Sequence, residues 1–222
     1  IDRIRYEEML ELAATGAKVL ELRAAEYGRL HGVSIHVRSS FVDEPGTIIE
    51  EGTGMEKAIV TGITYDAQEA KITILGVPDK PGIAARVFSA LAEADVNVDM
   101  IIQNVGEKGS ADISFTVPKD DLVRAESTIG RVAKELEARG TNYTQDIAKV
   151  SLIGAGMRTH PGVAADMFAV LADRGINIQM ISTSSIKISC VISADQVETA
   201  IRALHRQFEL DKEPVEDSEK RG

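Results

Sequence analysis

The chain has 222 residues, room for one large or two small domains, and 44% of them are apolar while only 4% are aromatic and none is Trp, so its cores must be aliphatic. A formal charge of −10 and a pI near 5.0 exclude a nucleic-acid partner, because phosphate-backbone binders cluster Lys and Arg to displace counterions. No apolar run approaches the ~18–20 residues of a membrane-spanning helix and no basic-then-apolar signal opens the chain, so no membrane partner is expected.

In chain order, Ile1 stands where Met would, as in a processed chain or a fragment. Residues 6–20 carry apolar side chains at helical spacing and residues 33–37 read as a short strand; with their surroundings, 1–40 look like the end of another domain. Residues 41–57, with Pro45, Gly46, Gly52 and Gly54, read as a linker. Residues 58–64 are strand-like, and 70–76 form a second β-branched run that ends at Gly76. After Pro81 and Gly82, the spacing of Val87, Phe88, Leu91 and Ala94 predicts a helix. Residues 97–102 and 113–117, joined by a turn-rich 106–110, predict a hairpin; a long amphipathic helix over about 119–139 and a strand over 142–146 follow.

The order then repeats. Shifting 81–101 by 80 residues onto 161–181 gives ten identities in 21 positions, among them Pro81/Pro161, Gly82/Gly162, Phe88/Phe168, Asn97/Asn177 and Met100/Met180. Residues 70–76 match 148–154 at a shift of 78, so the second copy carries two extra residues in the loop between. The second copy predicts strands near 177–183 and 186–193 and a helix near 195–207, then runs into an acidic tail, 211–222. Each copy is a split βαββαβ pattern, an antiparallel sheet with both helices on one face. Copy two lacks a last strand, and 58–64 can supply it. That arrangement nests copy one, 68–147, between the two parts of copy two, 58–67 and 148–210.

Cys190, the one cysteine, lies in a strand-like run as a small core residue and fits a reducing cytoplasm. There is no Gly-rich P-loop, no paired Cys/His spacing for a metal, and no Ser/His/Asp arrangement that stands out. His31, His36 and His205 are scattered, whereas His160 sits in a loop ahead of a helix. The corresponding loop of copy one, Asp79-Lys-Pro-Gly-Ile-Ala84, is the chemically suggestive one. N–H groups at a helix start suit a carboxylate, Gly82 admits a ligand close to the backbone, and Asp79 can meet an ammonium. These are the two ends of a free amino acid. Asn97 and Asp99, at the start of a strand expected beside the first, add a donor/acceptor and a second carboxylate. The plainer reading makes Asp79 and Asn97 turn caps. Copy two has Thr159-His-Pro-Gly-Val-Ala164 instead, without the Asp, so the copies cannot bind one ligand in one way.

Leu75-Gly-Val-Pro-Asp-Lys-Pro-Gly82, Asn97-Val-Asp-Met-Ile-Ile-Gln-Asn104, Lys149-Val-Ser-Leu-Ile-Gly-Ala-Gly-Met157 and Asn177-Ile-Gln-Met-Ile-Ser-Thr-Ser184 together resemble the C-terminal regulatory region of the aspartate kinase family. Residues 6–20 resemble the last helical part of that family's amino-acid-kinase domain. The resemblance covers the chain up to about Leu210 and implies an α+β fold of two tandem ferredoxin-like ACT domains, the first inserted in the second, behind a kinase-domain remnant.

The resemblance implies a part of an enzyme that phosphorylates L-aspartate with ATP at the head of lysine, threonine, methionine and diaminopimelate synthesis, under feedback inhibition by lysine, threonine or both. Its effector residues carry over to Asp79, Lys80, Pro81, Gly82, Ile83, Ala84, Asn97, Val98, Asp99 and Gln103, and to Val163, Ala164, Asn177, Ile178, Ser184 and Ser185. Ser114, on the facing strand, suits a hydroxyl and favours threonine. Ser185 stands where the family often has Glu, which removes a carboxylate from the path of a lysine ammonium. No cofactor is expected in this chain, since ATP and Mg belong to the family's catalytic half. The expected partners are threonine or lysine, a second copy in an ACT-joined homodimer, and a full-length kinase chain in an α2β2 enzyme. The alternative is a free-standing ACT protein that binds amino acids and controls another partner.

Overall fold

The computed structural model describes residues 1–52, 59–106 and 109–211. Residues 53–57 of the expected linker, Ala58, the tip of the first hairpin at 107–108 and the acidic tail from 212 lie outside them. Residues 67–149 with 193–195 form one compact unit, and the other described residues form a second.

The N-terminal segment runs β1 (Arg3–Arg5), α1 (Tyr6–Ala14), α2 (Leu22–Leu30), β2 (Ile35–Val37), β3 (Thr47–Glu50) and β4 (Gly62–Asp66). Tyr6, Met9 and Leu12 recur on one face of α1 and are buried with Ile4, Ile49 and Ile153. The helix stops short of the expected residue 20, because the Thr15 hydroxyl donates to the Glu11 carbonyl at 2.6 Å and Gly16 turns the chain at φ +114°. Helix α2 buries only Ala25 and Gly28, so it has no apolar stripe by which its period shows in the sequence. The expected linker contains β3, the centre of a three-stranded sheet ordered β1-β3-β2. Strands of three or four residues are too short to show alternation, which is why 41–57 read as structureless.

The first repeat consists of β5 (Glu69–Pro78), α3 (Ile83–Glu93), β6 (Ile101–Val105), β7 (Ser110–Pro118), α4 (Leu122–Glu135) and β8 (Gly140–Thr144). Its sheet is ordered β6-β7-β5-β8, with antiparallel pairing throughout. Val87, Ala90 and Leu91 of α3 and Leu122, Ala125, Ile129, Val132 and Ala133 of α4 join Ile72, Ile74, Ile113 and Phe115 in one core that is aliphatic but for that ring and the Phe88 ring packed against it. The expected helix over 119–139 opens with a 3-10 turn at Lys119–Asp121. One expectation fails: β6 does not lie beside β5, and Asn97 to Met100 precede the strand. The crossover through α3 leaves a gap of one strand, and β7 returns into it.

The second repeat follows with β9 (Ile147–Ile153), α5 (Val163–Asp173), β10 (Met180–Thr183), β11 (Lys187–Ser193) and α6 (Val197–Gln207). Its sheet is ordered β10-β11-β9-β4, so the strand before the first repeat closes the sheet of the second. Cys190 is fully buried there, and burial pushes its thiol up to about 12, which leaves it inert. The chain entering β4 passes hard against Gly154: a Cβ on that glycine would lie 2.3 Å from the Ile59 carbonyl oxygen, while the Thr61 N–H donates to the Ile153 carbonyl at 2.7 Å.

Gly154→Ala is therefore expected to destabilise the chain by about 1–3 kcal/mol through overpacking. The melting temperature should fall by roughly 2–10 °C. A calorimetric trace that overlays the wild type would disprove the close approach.

Candidate functional site

Pro78 ends β5, and the next residues swing into α3. The Asp79 N–H donates to the Gly109 carbonyl at 2.8 Å and the Lys80 N–H to the Pro78 carbonyl at 3.0 Å. Gly82 is the N-cap of α3, at φ +95° and ψ −15°, and no side chain caps the helix. A Cβ on Gly82 would meet nothing within 4 Å, so glycine is needed for its left-handed backbone and the space around it is open. Asp79, Lys80, Pro81, Gly82 and Ala84 are exposed, whereas Ile83 packs on the core. Among the described residues the Asp79 carboxylate has no hydrogen bond or ion pair, so it does not serve as the cap that the plainer reading required.

The other first-repeat residues are spread over the sheet. Asn97 is exposed, and Val98 packs on the core. Gln103 pairs in register with Ile113, and Ile102 with Ser114. Gln103 and Ser114 therefore face opposite sides of the sheet. Ser114 also pairs with Thr73 of β5, and their hydroxyls are 2.9 Å apart. At ~3.3 Å per residue, Thr73 lies roughly 20 Å back along the chain from Asp79, so Ser114 does not stand at the start of α3. The Asp79–Ala84 loop and Ser114 are not brought together within this unit.

Asp99 is already engaged. Its carboxylate pairs with the Lys149 ammonium, which also bonds Glu69 at 2.5 Å. The Lys149 side chain is 4% exposed and that of Glu69 9%, whereas that of Asp99 is 50% exposed. Burial alone would lower the Lys149 pKa, but Glu69 and Asp99 outweigh it and hold the ammonium above the usual lysine range. Burial raises the Glu69 carboxyl more than Lys149 lowers it. Sequence reasoning missed this group; the signal available was a lysine inside the aliphatic run 147–153.

In the other unit, a 3-10 turn, Ala155–Thr159, leads to Gly162, the N-cap of α5. Here φ is −77°, so the same Pro-Gly pair takes a different backbone from Gly82. Val163 is buried, Ala164 and Ile178 are half-buried, and Asn177, Ser184 and Ser185 are exposed. The Ser184 N–H donates to the Lys187 carbonyl at 2.8 Å, and its hydroxyl accepts the Ile186 N–H at 3.3 Å, which closes the β10–β11 turn. The His160 Nδ1 lies 2.8 Å from the Gly156 carbonyl, so the exposed ring braces its own loop. Among the described residues no three His, Cys, Asp or Glu side chains gather as a metal site would need.

A family model described as an ACT domain matches residues 72–131 and 150–208. An aspartokinase of Mycolicibacterium smegmatis is 51% identical over 215 residues, 95% of this chain and 51% of the relative. The chain thus spans about half the length of the curated relatives it matches. Among solved structures, one of aspartokinase alpha and beta subunits is 46% identical with a TM-score of 0.64, over 68% of this chain and 99% of that one. The ligand-free regulatory subunit of aspartate kinase from Thermus thermophilus is 44% identical with a TM-score of 0.64, over the same shares.

Lys149→Met leaves the Glu69 charge buried without its partner and is expected to cost about 3–5 kcal/mol at neutral pH. The double variant Lys149→Met/Glu69→Gln should recover most of that. A raised lysine pKa stabilises the fold fully below the unfolded value of ~10.4 and is lost as pH rises through the folded value. Urea melts should therefore show the gap between wild type and Lys149→Met narrowing above that pH; a constant gap would contradict the buried pair.

Proposed function

The chain belongs to the aspartokinase family, as its C-terminal regulatory region with ACT domains, and we propose that it senses threonine, lysine or both to impose feedback inhibition on a kinase that makes 4-phospho-L-aspartate. The observation that carries this reading is the loop Asp79–Ala84. It pairs an uncapped helix start, whose N–H groups suit an α-carboxylate, with a carboxylate that has no described partner and suits an α-ammonium. Threonine is the first choice. A lysine effector needs a carboxylate for its second ammonium, yet Lys149 engages Asp99 and position 185 is Ser.

ATP, Mg and aspartate are assigned to residues outside this sequence, and the chain alone is expected to form no aspartyl phosphate. A hydroxamate assay on the purified protein that detects product would refute that. We further assign the chain a homodimeric state through its ACT sheets and association with a full-length kinase chain, in a cytoplasmic enzyme. Helix α1 and the second sheet share one compact unit, and the M. smegmatis match, at 95% of this chain, extends into the N-terminal segment. Both favour a kinase-linked sensor over a free-standing one, which has no use for that segment.

A ligand that binds only the folded chain adds about 2.7 kcal/mol at a hundred times its Kd. Threonine or lysine should then raise the melting temperature by about 5–10 °C. Asp79→Ala should abolish the rise for at least one of them while leaving the unliganded melt nearly unchanged. A mutant that melts lower but keeps its full shift would return Asp79 to a turn-capping role, and no shift with either amino acid would remove the central claim.

A further inference from the structure

Helix α1 reaches both loops of the second repeat through carboxylates one turn apart. Glu8, only 7% exposed, accepts the Thr61 hydroxyl and the Ala155 N–H, the latter at 3.1 Å. Ala155 opens the 3-10 turn that leads to Gly162 and Val163. Glu11 pairs with the Lys187 ammonium at 2.8 Å, and the Lys187 carbonyl holds the Ser184 N–H. The two loops are also joined to each other, since the Gly154 N–H donates to the Ile186 carbonyl at 3.0 Å. Ser185 and Ile186 line one groove together with Glu7, Leu10 and Glu11 of α1.

The far end of α1 is fixed differently. The Thr15 and Thr64 hydroxyls bond at 2.7 Å in a buried setting, and a Cβ on Gly16 would lie 2.2 Å from the Tyr65 carbonyl oxygen. The helix is thus pinned to β4 at its C-terminus and bonded to the two loops along its length.

We propose that α1 is the element that reports ligand occupancy of the second repeat, with Glu8 and Glu11 as positioning residues that tie its orientation to the loops at Ala155–Val163 and Ser184–Lys187. This rests on the amino-acid-binding reading above, extended to the second repeat at Val163, Ala164, Asn177, Ile178, Ser184 and Ser185, and names the residues through which binding there acts. A buried carboxylate with two donors cannot follow a loop partway, because a donor left unsatisfied there is costly. Movement of Ala155 therefore either carries α1 along or breaks the bond, which gives two discrete arrangements. A ligand shifts their balance by its difference in affinity for them.

The test is amide hydrogen exchange on the 222-residue chain, with and without saturating threonine or lysine, read beside the thermal shift. Protection of the α1 amides is expected to change by about fivefold or more on binding, the lower end of ordinary coupling between sites. Glu8→Ala should keep the ligand-induced melting shift and lose the α1 response, while Glu8→Gln, whose amide oxygen can still accept both donors, should restore it. Glu11→Gln, at a partly exposed pair, should weaken the response and serves as the test if Glu8→Ala does not fold. A melting shift without any change in α1, or a full α1 response in both Glu8→Ala and Glu11→Gln, would overturn the inference and leave the binding reading intact. Absence of a melting shift with either amino acid overturns the binding reading and this inference with it.

Discussion

The second sheet depends on one close approach, the passage of Ile59 and Val60 across Gly154. A Cβ at 154 would lie 2.3 Å from the Ile59 carbonyl oxygen, so the chain there would have to shift and strain the Thr61 to Ile153 bond beside it. That bond stands where β4 enters beside β9, so the strain falls on the closure of the four-stranded sheet. The N-terminal segment depends on the same contact, since Thr15 and Gly16 fasten α1 to β4. A strand with no sequence kinship to the second repeat thereby both completes its sheet and binds α1 to it.

The repeat was the most legible feature. Apolar spacing in α3 and α5, the Pro-Gly pairs and the aliphatic runs of β5 and β9 report local structure that tertiary context does not overrule. The missing strand of the second repeat was also legible, because counting strands requires a partner for β9. Less could be read where elements are short or polar. Strand β3 has four residues, and α2 buries only an alanine and a glycine, so neither produces a period. The lateral position of β6 was misread because chain order does not fix strand order. That error carried over to the site, placing Asn97 and Asp99 beside β5 when β7 intervenes.

Within the site, residue types were legible and their partners were not. Asp79 is exposed, but Asp99 is engaged by a lysine 50 residues away, which no local pattern announces. The Ser114 hydroxyl suits a threonine ligand by type, yet it lies against Thr73 on the face away from the helices. The two Pro-Gly loops carry a finer lesson. Identical residues at 82 and 162 adopt φ values of +95° and −77°, so the divergence of the copies begins in the backbone as well as in the loss of an Asp.

The nested order of strands also sets an order of assembly. Strand β4 starts 85 residues before β9, from Gly62 to Ile147, and at ~5–20 residues per second it leaves the ribosome roughly 4–17 s ahead of the strand it must pair with. The whole first repeat is made in that interval, and its elements are contiguous from Glu69 to Thr144. It can fold from its own residues while β4 waits unpaired. Once folded, it replaces a long floppy loop with a fixed body, so the entropy of closing β4 onto β9 has largely been met before β9 emerges. The inserted repeat thus acts as the scaffold on which its host is completed, and a defect in the core of the first repeat would leave β4 waiting as an exposed edge open to other chains.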